Sequence, residues 1–124
     1  MKRLLILVAV VLLVVPLAGA EDFTGKWSGS FISLLPDGST KDDTIVMTVK
    51  QKDTSLTGTA GPTEDMQWPL KGTVSENKLT FEVDSNGTIV YFSLSFANGH
   101  LKGDANADAP GGKLSGKIDM ERSK

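Results

Sequence analysis

Beyond residue 20, apolar residues recur at every second position in short runs, and each run ends in residues that favour turns. Alternation with a period of two puts one set of side chains on each face of a strand. Trp27, Gly29 and Phe31 share one face of a first strand, opposite Lys26, Ser28 and Ser30. Pro36-Asp37-Gly38 then turns the chain. Ile45, Met47 and Val49 mark a second strand ending in Gln51-Lys52-Asp53, and Leu56 and Gly58 a third ended by Gly61-Pro62. Met66, Trp68, Leu70, Gly72 and Val74 are in phase along a fourth. Pro69 falls out of that phase, and without an N–H it predicts an irregular or locally unpaired strand at that point.

The pattern sharpens towards the C-terminus. Ser75-Glu76-Asn77 leads into Leu79, Phe81 and Val83, which alternate cleanly with Lys78, Thr80, Glu82 and Asp84. Asn86-Gly87 and Asn98-Gly99 are hairpin dipeptides, because both residues tolerate positive φ. Val90, Phe92, Leu94 and Phe96 form one inward row, and Leu101, Gly103, Ala105 and Ala107 the next. After Pro110-Gly111-Gly112, the row Leu114, Gly116, Ile118 and Met120 closes the series. Eight strands with short connections predict an all-β fold, an eight-stranded antiparallel up-and-down barrel that removes its own edges by closure. Apolar-x-Gly recurs at Leu56–Gly58, Leu70–Gly72, Leu101–Gly103 and Leu114–Gly116. Such inward glycines either bend a narrow barrel or clear room for a ligand, and bending is the preferred expectation.

Residues 1–20 break this pattern and are set apart from the fold. Lys2 and Arg3 precede the apolar run Leu4–Val15, Pro16 ends it, and Ala18-Gly19-Ala20 supplies a small-residue cleavage site. That tripartite layout predicts a signal peptide cleaved after Ala20, and a secreted or periplasmic product comprising one domain over residues 21–124. An uncleaved segment would be the chain's membrane anchor. Cleavage leaves 104 of the 124 residues and, with Lys2 and Arg3 gone, moves the formal charge from −2 to −4. No basic run is present, which argues against nucleic acid as a partner. Cysteine is absent, which removes thiol catalysis, thiolate metal sites and a lipid-bearing N-terminal cysteine.

Gly25-Lys26-Trp27 at the first strand, with Arg122 at the end of the last, resembles the calycin superfamily of lipocalins, fatty-acid-binding proteins, avidins and bacterial metalloprotease inhibitors. The resemblance implies an up-and-down barrel in which the terminal cation packs over the indole. Gly25, Trp27 and Arg122 would then be a structural seam at one end, with any site at the other. The chain is shorter than typical lipocalins and lacks their C-terminal helix. Beside Trp27 it has only Trp68, which argues against the tryptophan-rich biotin site of avidins. Glu21-Asp22-Phe23-Thr24 does not supply the protease-blocking strand of the inhibitors.

Candidate chemistry is sparse. His100 is the sole histidine and flanks a hairpin turn, so it reads as a surface residue without an imidazole partner. Asp104, Asn106 and Asp108 spell half a calcium loop, but Ala109 and Ser115 stand where its glycine and terminal acid belong. Asp42-Asp43 and Glu64-Asp65 read as solvated strand ends, Tyr91 as an outer-face residue, and Asn86-Gly87-Thr88 matches a glycosylation acceptor as well as a turn. No nucleophile–base pair emerges, so an enzyme is not expected and no cofactor is implied. The lumen carries the functional expectation, since a barrel of eight strands either fills with side chains or holds one small ligand. The lumen candidates are Phe31, Met47, Met66, Trp68, Phe81, Phe92 and Leu94, with Met66 and Trp68 at the open mouth. The expected function is non-enzymatic binding of a small apolar ligand. The alternative is a protein-interaction or inhibitor module with a filled lumen, contacting an envelope or secreted protein.

Overall fold

The short alternating runs of the sequence become eight strands that each hydrogen-bond the next in sequence, and the last pairs with the first. In the computed structural model, which describes residues 22–109 and 112–123, the order is β1 (Gly25–Leu34), β2 (Thr40–Lys52), β3 (Ser55–Thr63), β4 (Met66–Ser75), β5 (Lys78–Ser85), β6 (Thr88–Ala97), β7 (His100–Ala109) and β8 (Gly112–Arg122). The fold is an all-β, closed, antiparallel eight-stranded meander barrel. The segment read as a signal peptide and most of the Pro110-Gly111-Gly112 turn lie outside the described residues.

Turn chemistry sets the hairpins. Asn86-Gly87 and Asn98-Gly99 both take positive φ, 52° and 94° in the first pair and 53° and 81° in the second. Asp53 and Glu76 adopt the same left-handed region at the β2–β3 and β4–β5 connections. The turns alternate between two ends of the barrel. The β2–β3, β4–β5 and β6–β7 turns share one end with Asp22 and Ser123, and the β1–β2, β3–β4 and β5–β6 connections lie at the opposite end.

The inward rows pack most densely towards the first of these ends. Trp27, Phe23, Met47, Leu56, Leu79, Leu94, Leu101 and Met120 are its largest completely buried side chains. Outside, β7 and β8 are held in register by a ladder of directly opposed charges: Lys102 faces Asp119, Asp104 faces Lys117, and Asp108 faces Lys113. Each exposed pair contributes only about 0.2–1 kcal/mol, but a one-residue slip would misalign all three.

The glycines act mainly as bends. A Cβ on Gly29 would lie 1.9 Å from the backbone oxygen of Asp119, and one on Gly103 would lie 2.0 Å from that of Ser93. The missing side chains let neighbouring backbones approach where the narrow barrel coils.

Two expectations change around β4. β3 does not end at Gly61-Pro62 but runs to Thr63, with its pairing to β4 shifted between Ala60 and Thr63. The irregularity therefore lies in β3, opposite Trp68 and Met66, and it re-aims the tip of the hairpin. Thr44 Oγ1 and Gln67 Nε2 donate to Pro62 O and Val46 O, at 2.7 and 3.1 Å, and Glu64 at the tip pairs with Lys26 of β1. Met66, at this tip, is 51% exposed and does not line the cavity described below. Pro69 keeps its place opposite Thr59 of β3, whereas pairing of β4 with β5 begins only at Leu70–Val83. The strand is thus unpaired on its β5 side at the proline.

Candidate functional site

The two barrel ends differ in kind. At the closed end Trp27 donates its Nε1 proton to Phe23 O at 2.9 Å, and Phe23, Trp27 and Phe96 meet edge-on or tilted, with centroids 5.4–6.1 Å apart. Residues Asp22 to Thr24 are tied there by side chains from two strands. Gln51 of β2 accepts from Phe23 N through Oε1, at 2.9 Å, and its backbone N donates to Thr24 Oγ1, also at 2.9 Å. Arg122 of β8 places its guanidinium 4.6 Å from the Trp27 ring centre and donates to Thr24 O (2.9 Å) and to Asp22 O. Gly25, at φ 137°, passes beneath this group; a Cβ there would lie 3.2 Å from Arg122 Nη1. Among the described residues, Phe23 and Trp27 of the core, with Phe96 packed against them, fill the lumen at this end.

At the opposite end the packing stops short of the mouth. A cavity of about 200 Å³ lies above the core, walled by Phe31, Ile45, Ala60, Trp68, Val83, Val90 and Phe92. Ser33, Asp43, Thr44 and Ser85 are the polar residues of its lining. The unpaired stretch of β4 and β5 borders it, with Trp68 on one side and Val83 and Ser85 on the other. A smaller hollow of about 80 Å³ adjoins it, sharing Phe31, Ser33 and Val90 and reaching Leu114 and Ala107. Phe31 stands between the two hollows, with its ring over Gly116, where a Cβ would come within 2.5 Å of Phe31 Cε1.

No protein family, curated protein or solved structure was found to match this chain.

The structure sorts the seven lumen candidates into four groups. Phe31, Trp68 and Phe92 line the cavity together. Phe81 stacks on Phe92, with centroids 4.7 Å apart and planes 13° from parallel, and supports that wall from within the core. Met47 and Leu94 lie in the core without lining the cavity, and Met66 is exposed at the hairpin tip. Asp43 is exposed, as a pair of adjacent acids at a strand end suggests, but it also belongs to the cavity lining, which the sequence pattern did not single out. Yet Asp43, Ile45, Met47 and Val49 fall on one row of β2, and Asp43 sits directly opposite Phe31 of β1. The period of two could have placed it. Phe23 was also missed, although a large aromatic beside the first strand is a reasonable plug for a barrel end.

The remaining polar candidates lie on the outer wall. His100 Nδ1 is 2.7 Å from Asp119 Oδ1, and its Nε2 is 3.5 Å from Glu121. Asp104 and Asp108 face lysines of β8, as described above, and among the described residues no group of three or more histidine or acidic side chains could hold a metal ion. Asn86 and Tyr91 are exposed, the latter by 56%.

Proposed function

We propose that the mature chain is a calycin-like, non-enzymatic barrel that binds one small apolar ligand at its open end. The observation that carries this reading is the cavity of about 200 Å³ above a densely packed core, with aromatic and aliphatic walls and a few polar residues in its lining. Small-molecule sites commonly have this make-up, an apolar surface with a few orienting polar groups. The seam of Trp27 and Arg122 at the opposite end supports the calycin-like assignment and reserves that end for stability. The hollow favours ligand binding over the alternative of an interaction or inhibitor module with a filled lumen. The apolar leader at residues 4–15 supports export to the periplasm or beyond after cleavage at Ala20.

The test uses residues 21–124 with small neutral aromatic probes such as indole and 2-phenylethanol. Native mass spectrometry and tryptophan fluorescence should report one bound molecule, because Trp68 lines the cavity. Ala60→Leu, which fills the lumen from a buried wall position, should abolish binding while circular dichroism retains the β signature. Binding unaffected by this substitution, or no binding of any probe, would overturn the reading.

A further inference from the structure

We infer that the lumen site selects a small aromatic amine, with its ammonium held by Asp43 and its ring in the cavity. This rests on the lumen-binding reading and adds to it the charge of the ligand. Asp43 is the sole charged residue among those lining the cavity, and it shares that lining with Phe31, Trp68 and Phe92. A carboxylate placed beside aromatic faces suits a cation on both counts, through a charge-assisted hydrogen bond and through the ring quadrupoles.

The partner that Asp43 already has is weak. Lys41 lies two residues away on the same strand, with Nζ 3.8 Å from Asp43 Oδ2, and both side chains are about half exposed or more. Such a pair is screened by water and is readily exchanged for a ligand cation. The wider mouth reinforces the preference. Asp37, Asp42, Asp65 and Asp84 belong to the turns and strand ends around it, whereas Lys113 faces Asp108. Their summed field concentrates cations at this end and repels carboxylates.

Size narrows the class further. An apolar cavity of about 150 Å³ accommodates a benzene ring. The 200 Å³ here therefore admits one ring with a short arm reaching the rim. Long acyl chains would exceed it.

The experiment compares three probes of matched shape on residues 21–124: 2-phenylethylamine, 2-phenylethanol and phenylacetate. Calorimetry and Trp68 fluorescence should rank the amine first by roughly tenfold, the worth of one charge-assisted contact, and the acid last. Asp43→Asn should reduce the amine to the level of the alcohol and leave the alcohol's affinity unchanged. Raising the salt concentration should weaken the amine alone. If the alcohol binds and the amine gains nothing over it, or if Asp43→Asn leaves the amine's advantage intact, amine selection falls while lumen binding stands. If none of the probes binds, both readings fall together.

Discussion

Arg122 lies over Trp27, its guanidinium carbon 4.6 Å from the ring centre, while its nitrogens bind the backbone oxygens of Asp22 and Thr24. One side chain of the last strand thus fastens the first strand and the segment preceding it. A cation–π contact of this kind contributes about 0.5–2 kcal/mol. Arg122→Ala should lower thermal unfolding by several degrees, since about 1 kcal/mol corresponds to roughly 4–8 °C in a domain of this size. Arg122→Lys should recover only part of the loss, because an ammonium lacks the planar fork that reaches both carbonyls. Ligand affinity at the far end should be unchanged in both. An unaltered melting temperature in Arg122→Ala would remove the seam from the account.

Phe23 should matter more than Arg122. It is completely buried, contacts Trp27 and Phe96, and supplies the carbonyl that accepts the indole proton. Truncating a buried phenylalanine costs about 3–5 kcal/mol. Phe23→Ala should reduce the free energy of urea unfolding by that order, and Phe23→Leu by appreciably less. A loss below about 1 kcal/mol would mean that the plug is dispensable, given the usual cost of such truncations.

The strand order was legible because every element is an alternating run and every connection is short. Asn86-Gly87 and Asn98-Gly99 specify their hairpins locally, and the inward rows of β5 and β6 follow from the pleat alone. Half of the candidate site was legible for the same reason: Phe31, Trp68 and Phe92 are large, apolar and in phase. The missing half depended on relations between strands. Met66 and Trp68 share a phase, yet Met66 lies at the exposed tip of the β3–β4 hairpin, and no property of β4 announces the register shift in its neighbour. Asp43 is solvated as its charge suggested, yet it also borders the cavity, which its phase with Ile45 alone could have indicated. Where packing stops short of the mouth is a property of all eight inward rows at once.

Acid should loosen the closed end. Thr24 N donates to Asp22 Oδ1 at 3.0 Å, and this bond, helped by the Thr24 hydroxyl and by Arg122, holds the Asp22 carboxyl below its ordinary 3.8. A carboxylate depressed in the folded state stabilises the fold above its unfolded pKa, and the contribution is lost as pH falls through the folded value. Asp22→Asn removes the titration while keeping an acceptor. Its stability deficit relative to the parent, measured by urea unfolding, should be constant near neutrality and close as pH drops below 3.8. The parent should retain some further acid sensitivity, since Ser39 lowers Asp37 in the same direction at the other end. A deficit independent of pH would assign Asp22 a purely steric role.

Gly29 and Gly116 sit on inward rows of adjacent strands, and alanine should affect them differently. At Gly29 the new Cβ would meet the backbone oxygen of Asp119 at 1.9 Å, so β1 and β8 must separate where the barrel closes. At Gly116 it would meet the ring of Phe31, at 2.5 Å from Cε1 and 3.0 Å from Cζ, and a ring can swing where a backbone cannot. The space available to Phe31 is the cavity it already borders. Gly29→Ala should therefore destabilise strongly, at or above the roughly 1–3 kcal/mol typical of overpacking, with no specific effect on the site. Gly116→Ala should cost at most about 1 kcal/mol, the low end of that range, yet weaken probe binding severalfold by turning Phe31 into the hollow. Pairing Gly116→Ala with Phe31→Ala should restore binding, because the displaced ring is then absent. Equal stability losses at the two glycines, or no rescue in the double variant, would show that Phe31 does not control the volume of the site.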